Sequence, residues 1–281
     1  MISVRNLKFS YTKQPFIENM SFEVSPGEIF GFLGPSGSGK STLQKILTGL
    51  LTNYTGNVIV NGTEVKRHDN RFYEDIGVDF EFPSLYEKLT ARENLQFFSS
   101  LYRKRLPVDP LLASVGLLVD GDKRVAEFSK GMKSRLNFIK ALLHDPSLLF
   151  LDEPTSGLDP TNARVMKDII LQEKARGKTI LLTTHNMYDA TELCDRVAFI
   201  VDGRLRALDS PRSLIMRRGA SRVHYTYSHN GQEVQREVPL NRTGTDEMLQ
   251  YLIRENSLLS IHSSEPTLND IFVELTGRRL Q

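Results

Sequence analysis

The sequence predicts an α/β fold: a core sheet organised around a phosphate-binding loop, with an antiparallel β layer ahead of it, a helical insert, and a small C-terminal α+β appendage. Three observations predict it. In the stretch Gly34-Pro35-Ser36-Gly37-Ser38-Gly39-Lys40-Ser41-Thr42, residues 34–41 have the spacing G-x-x-x-x-G-K-[ST], between a strand-like run over 28–33 and a helix-like run over 43–47. Residues 147–153 form an apolar run ending in Asp152-Glu153, and 179–184 form a second run ending at His185, as buried parallel strands do. The opening, 2–9 and 16–24, instead alternates apolar and polar residues around a turn at Lys13-Gln14-Pro15, which marks a half-buried antiparallel pair.

Composition narrows the classes. A chain of 281 residues that is 40% hydrophobic can bury a full core, as one large domain or a large one with a small one. Its 36 basic and 34 acidic residues leave a net charge of +2, so no global field draws it to nucleic acid or anionic lipid. No apolar run approaches the ~20 residues that span a bilayer, and the N-terminus lacks the apolar core of a signal peptide. A cytosolic protein whose membrane contacts are local is expected. The single cysteine, Cys194, reads as a small buried helix residue.

The loop carries the first chemistry. Its glycines let successive backbone N–H groups turn inward, and the following helix N-terminus adds positive partial charge, so Gly34, Pro35, Ser36, Gly37, Ser38 and Gly39 form an anion cradle. Lys40 is placed to reach β- and γ-phosphates. Ser41, the last motif position, supplies a hydroxyl for Mg²⁺, and Thr42 follows it in the loop. The strand over 147–152 then delivers two carboxylates at its C-terminal end, where open α/β sheets bind ligands. Unpaired carboxylates there are costly without a cation or a polar reaction centre. Asp152 is the candidate Mg²⁺ ligand, through water, and Glu153 the candidate general base for an attacking water. His185 ends the next strand on the same sheet edge, either capping the following helix or touching the γ-phosphate. Tyr11, just after the first strand, is either packed or stacked on a base.

Between these motifs, Gly56–Val60 reads as a strand closed by Asn61-Gly62, and 76–80 as another short strand. From Thr90 the pattern turns helical, with Thr90 as N-cap, Glu93 three residues on, and Ala91, Leu95, Phe98 and Tyr102 on one face. This opens a helical insert over about 84–143, and Arg103, Lys104 and Arg105 suit the dipole at its first helix's end. After the strand and turn of 196–204 the main domain closes near residue 215. In the remainder, Val223, Tyr225 and Tyr227 alternate before Asn230-Gly231, predicting a hairpin. Helices follow over 246–255 and from Pro266, in a first turn, to Leu275, with Gly277 as the stop.

With these residues in place, 1–215 resembles the nucleotide-binding subunit of an ABC transporter, which implies a P-loop NTPase core that binds ATP with Mg²⁺. The resemblance makes Tyr11 the residue stacked on adenine, Asp152 and Glu153 the Walker B pair, Ser156-Gly157-Leu158-Asp159 the D-loop and His185 the switch histidine. It implies that two such subunits, identical or different, face head to tail, each signature motif closing on the ATP of the other. That motif, usually Leu-Ser-Gly-Gly-Gln, stands here as Phe128-Ser129-Lys130-Gly131-Met132; Ser129 and Gly131 remain as ATP contacts. Lys130 either approaches phosphate or is a solvated residue. Where the family carries a glutamine touching Mg²⁺ and the membrane partner, this chain has Glu81, which either alters that chemistry or points elsewhere. The tail Glu265-Pro266-Thr267-Leu268-Asn269-Asp270-Ile271-Phe272 is similar to that of bacterial exporter-type ATPases paired with a separate membrane subunit.

The resemblance therefore implies an ATPase on the cytoplasmic face of the membrane, driving a transmembrane permease, with no nucleic-acid partner. It implies domains over 1–215 and 216–281. Two alternatives stay open: an ABC-type ATPase outside transport, and a phosphoryl transferase, which the paired carboxylates and distant histidine argue against.

Overall fold

A computed structural model describes residues 2–217, 222–264 and 266–277, in two compact units dividing after Leu208. The first unit opens with β1 (Ile2–Phe9) and β2 (Ile17–Val24), antiparallel, with Ile2 opposite Val24 and Phe9 opposite Ile17. Their alternation places Ile2, Val4, Leu7 and Phe9 inward. Next come β3 (Ile29–Leu33), buried throughout, and α1 (Lys40–Leu47). Strands β4 (Thr55–Val60) and β5 (Thr63–Glu64) flank the Asn61-Gly62 turn and complete a four-stranded sheet of order β2-β1-β4-β5.

Strand β6 (Ile76–Asp79) leads to the helical insert, α2 (Ala91–Ser99), α3 (Val108–Ser114) and α4 (Lys130–Lys140). Thr90 caps α2 as its sequence predicts: Thr90 Oγ1 accepts from Glu93 N at 3.1 Å and Thr90 N donates to Glu93 Oε2 at 2.8 Å. The helix is shorter than expected, ending at Ser99, and Tyr102 beyond it stacks on His144 with centroids 3.8 Å apart. The basic triplet disperses accordingly. Arg105 Nε reaches the Tyr102 carbonyl at 2.9 Å, Lys104 pairs with Asp145 at 2.6 Å, and Arg103 donates its backbone N–H to Glu74 at 3.2 Å.

The rest of the unit alternates: β7 (Leu148–Asp152), α5 (Pro160–Ala175), β8 (Thr179–Thr184), α6 (Met187–Leu193), β9 (Arg196–Val201) and β10 (Arg204–Asp209). The six-stranded sheet runs β10-β9-β3-β8-β7-β6, parallel across β9-β3-β8-β7-β6. Apolar side chains of both sheets and of α1 share one core, in which Phe22 meets Phe32 edge-on at 5.0 Å. Cys194 is buried as expected but lies just past α6 rather than in it, in extended backbone, its sulfur standing 2.6 Å from where a Cβ on Gly31 would lie.

The second unit begins with α7 (Pro211–Met216), which packs on α9 (Leu268–Thr276); this contact puts the division earlier than the sequence-based boundary near 215. Strands β11 (Arg222–His229) and β12 (Gln232–Pro239) form the expected hairpin, and α8 (Glu247–Arg254) covers it with Leu249 and Leu252. An element not foreseen, β13 (Leu258–Ser264), pairs with the free side of β11, giving the order β12-β11-β13. Helix α9 starts later than expected, because Thr267 caps it by accepting from Asp270 N, which leaves Pro266 outside; Gly277 ends it in left-handed backbone. Glu265 of the tail motif lies outside the described residues.

Candidate functional site

The sheet order explains why distant segments meet. Strand β8 lies between β3 and β7, and all three run parallel, so the loop after β3, His185 after β8 and Asp152-Glu153 ending β7 emerge on one edge. Glu81 joins them from β6, the strand beside β7. One pocket is lined by Ser36, Gly37, Gly39, Lys40, Ser41 and Thr42, and also by Glu81, Asp152, Glu153 and His185.

The loop is built from close approaches. A Cβ on Gly34 would lie 2.2 Å from the Ile200 carbonyl and 2.8 Å from Ser38 Oγ, so no other residue fits. Gly39 precedes α1 at φ 110° and no side chain caps the helix, which leaves its first-turn amides for an anion. Lys40 is buried, and Nζ donates to the Gly34 carbonyl at 2.7 Å and the Pro35 carbonyl at 3.1 Å. Burial lowers its pKa, against the pull of the carboxylates of Glu153, Asp152 and Glu81. An ammonium held on two carbonyls in front of three carboxylates is poised to turn to a more strongly charged oxyanion.

Glu153 is fixed by three contacts. Its N–H donates to the Thr183 carbonyl at 2.9 Å, Oε2 accepts from Thr184 Oγ1 at 3.1 Å, and Oε1 lies 2.8 Å from His185 Nδ1. Its backbone is left-handed, φ 52°, a conformation costing a non-glycine residue about 1 kcal/mol or more, so the surrounding bonds hold it there. Asp152 is nearly buried and accepts from Thr183 Oγ1. Thr183 and Thr184 were missed in the sequence, although two hydroxyls ending an otherwise apolar buried strand are a usable signal. His185 does not cap α6; Asn186 does, accepting from Tyr188 N at 3.0 Å and Asp189 N at 3.3 Å.

Tyr11 is 57% exposed, its ring edge-on to Phe9 and Phe16 at 4.7 and 5.4 Å, and its hydroxyl 3.0 Å from Thr42 Oγ1. Phe16, a third residue missed, lines the phosphate-loop pocket directly. Ser129 and Gly131 are not among that pocket's lining residues. Ser129 caps α4, accepting from Met132 N at 3.2 Å. Lys130 is exposed, as the solvated alternative expects, and its Nζ also lies 3.3 Å from where a Cβ on Gly157 of its own chain would stand, lining a second cleft with Asp152, Glu153 and Ser156.

Comparison with known proteins places this geometry in a family context. A family model described as ABC transporter matches residues 17–156. The fluoroquinolones export ATP-binding protein of Mycobacterium tuberculosis is 51% identical over 285 aligned residues, covering 100% of this chain and 94% of that protein. Nod factor export ATP-binding protein I of a Rhizobium species is 37% identical over 298, covering 100% and 98%. Among solved structures, the ATP binding subunit of an ABC transporter superposes with a TM-score of 0.71 at 32% identity, covering 78% of this chain and 93% of that one.

Proposed function

The chain belongs to the ABC transporter family of ATP-binding subunits, and on that premise we propose that it powers export through a separate transmembrane permease by closing as a dimer on two ATP molecules. The observation that carries this reading is the convergence of Lys40, Ser41, Asp152, Glu153 and His185 on one pocket. Lys40 and the loop amides bind the phosphates, Glu153 takes the proton of the attacking water, and His185 orients Glu153 and faces the γ-phosphate.

The donor set suits Mg²⁺. Ser41, Asp152 and Glu81 offer hard oxygen atoms around one pocket, and these residues would hold the ion. Among the described residues no three His, Cys, Asp or Glu side chains converge as a complete cage, as fits an ion that keeps water and phosphate oxygens in its shell. Bound there, Mg²⁺ supplies charge neutralisation at the phosphate oxygens.

Ser129 and Gly131 serve the ATP of the second subunit, a role supported by their standing outside their own chain's pocket. Export is supported by the relatives at 51% and 37% identity, both of them export ATP-binding proteins. No helix among the described residues is long and apolar enough to cross a membrane. In this reading the permease carries the translocation path and docks near 81–102 at the cytoplasmic face. Light scattering of Glu153→Gln with ATP and Mg²⁺ tests the reading. Dimers with phosphate release abolished are expected; a variant that binds ATP, stays monomeric and still turns over would overturn it.

A further inference from the structure

The loop that carries Glu81 leaves β6 at Asp79, and from that strand end onward it is held by side chains of α4. Asn137 Nδ2 donates to Asp79 Oδ1 and, at 3.2 Å, to the Phe80 carbonyl. One turn further along, Lys140 Nζ reaches the Ser84 carbonyl at 3.2 Å; one turn back, Lys133 Nζ pairs with Glu87 at 2.7 Å. Residues 133, 137 and 140 stand at i, i+4 and i+7, so a single stripe of α4 grips the segment from 79 to 87. The far end of the segment is tied to α2, where the buried Asn94 accepts from Tyr86 N at 2.8 Å and donates to the Tyr86 carbonyl at 3.0 Å. Between these anchors Glu81 makes no hydrogen bond or ion pair among the described residues and lines the phosphate-loop pocket.

The innermost anchor is chemically unusual. Asp79 and Asn137 are 5% and 2% exposed, positions where an apolar pair would pack without any polar group to satisfy. Burial pushes the Asp79 carboxyl up to about 7, while Lys140 and the Asn137 amide pull the other way. Asp79 also pairs in register with Leu151, so this contact joins α4 to the strand end beside Asp152.

We propose that Asn137 and Asp79 are positioning residues for ATP hydrolysis: their buried hydrogen bond, with the Asn137 contact to the Phe80 carbonyl, fixes α4 to the root of the Glu81 loop where it leaves β6, and so sets where Glu81 stands in the phosphate pocket. The proposal rests on the reading of Glu81 as part of the Mg²⁺ and phosphate site. Severing the bond uncouples the loop while leaving the phosphate loop, Asp152 and Glu153 in place. ATP affinity is therefore retained and turnover falls.

The absence of tryptophan from the chain permits a direct test, since Phe82→Trp, at a residue 79% exposed beside Glu81, is a single fluorophore on this loop. Asn137→Ala alone strands a buried carboxylate, so the test pairs it with Asp79→Asn, which removes the charge; Asp79→Asn by itself keeps the acceptor oxygen and is the conservative control. In the Phe82→Trp background, the double variant is expected to raise the acrylamide quenching constant about twofold and lower kcat about tenfold, with KM for ATP within about twofold. Asp79→Asn alone should match the parent. A folded double variant with unchanged quenching and kcat overturns the inference. Should the double variant not fold, Asn137→Leu with Asp79→Leu cuts the same bond with an apolar pair, and unchanged quenching and kcat there overturn the inference equally. Glu81→Gln run in parallel separates the two readings: unchanged Mg²⁺ dependence in that variant refutes the role of Glu81, while the quenching data still decide the tether.

Discussion

His185 Nδ1 stands 2.8 Å from Glu153 Oε1, joining the ends of two neighbouring strands. The residues act as one unit, a carboxylate held in left-handed backbone and an imidazole that fixes its direction. Glu153→Gln and His185→Ala are each expected to slow hydrolysis about a hundredfold or more, and the double variant to be little slower than the worse single. Single-turnover phosphate release gives the comparison. Strict additivity would show that the two act separately.

Tyr11 presents more than half its surface to solvent while its hydroxyl is anchored to Thr42 of the phosphate loop. The exposed aromatic surface is available to a base, and the anchor is secondary. Tyr11→Ala should therefore weaken ATP binding by the worth of one stacked base, about 1–3 kcal/mol, while Tyr11→Phe stays near wild type. Competition against a fluorescent nucleotide measures both; equal losses in the two variants would assign the effect to the hydroxyl.

Much of this was legible in the sequence because the signals are local. The phosphate loop, the Asp152-Glu153 strand end and the Thr90–Glu93 cap each declare themselves within ten residues. What escaped depends on partners far along the chain. Asn137 and Asp79 are 58 positions apart, and nothing near either predicts the other. Strand β13 escaped for a different reason: it is an edge strand whose pairing is interrupted by a bulge opposite Thr226 and Tyr227, and its Leu259 and Ile261 remain exposed, so its pattern lacks clean alternation. Helix α2 is shorter than its pattern predicts, because Tyr102 continues the apolar stripe while its ring is used against His144.

Acid sensitivity follows from Asp145. Desolvation penalises its carboxylate, but hydrogen bonds from Lys104 and Lys178 and the charges of Lys178 and Arg176 outweigh that and hold its pKa far below the ordinary range. A depressed folded-state pKa means that the unfolded chain binds the proton first. The stabilisation is complete above the unfolded value of about 3.9 and is lost as pH falls from there toward the folded value. Asp145→Asn, which also tolerates the local φ of 51°, should be less stable than wild type at pH 6, with the gap closing below pH ~4. Urea midpoints across this range decide it, and a gap independent of pH would refute the ion-pair origin.

Gly203 ties the β9–β10 turn to the nucleotide site: its N–H donates to the Ser38 carbonyl at 3.1 Å and its carbonyl accepts from Glu18 N at 3.1 Å. Its φ is +67°, and a Cβ there would lie 1.7 Å from the Phe16 carbonyl. Gly203→Ala thus adds a backbone clash to left-handed strain, and the strand leading from Phe16 or the turn itself must move. Gly62, with φ +78° and nothing within 4 Å of where a Cβ would stand, isolates the strain alone in the same unit. Gly62→Ala should cost about 1 kcal/mol, and Gly203→Ala about 3 kcal/mol or more, or roughly 6 °C or more in Tm for a unit of this size. Because the displaced turn is bonded to Ser38, Gly203→Ala should also weaken ATP binding, whereas Gly62→Ala should leave it unchanged. Thermal melts with and without ATP measure both effects, and equal Tm losses in the two variants would show that the Phe16 contact yields without cost.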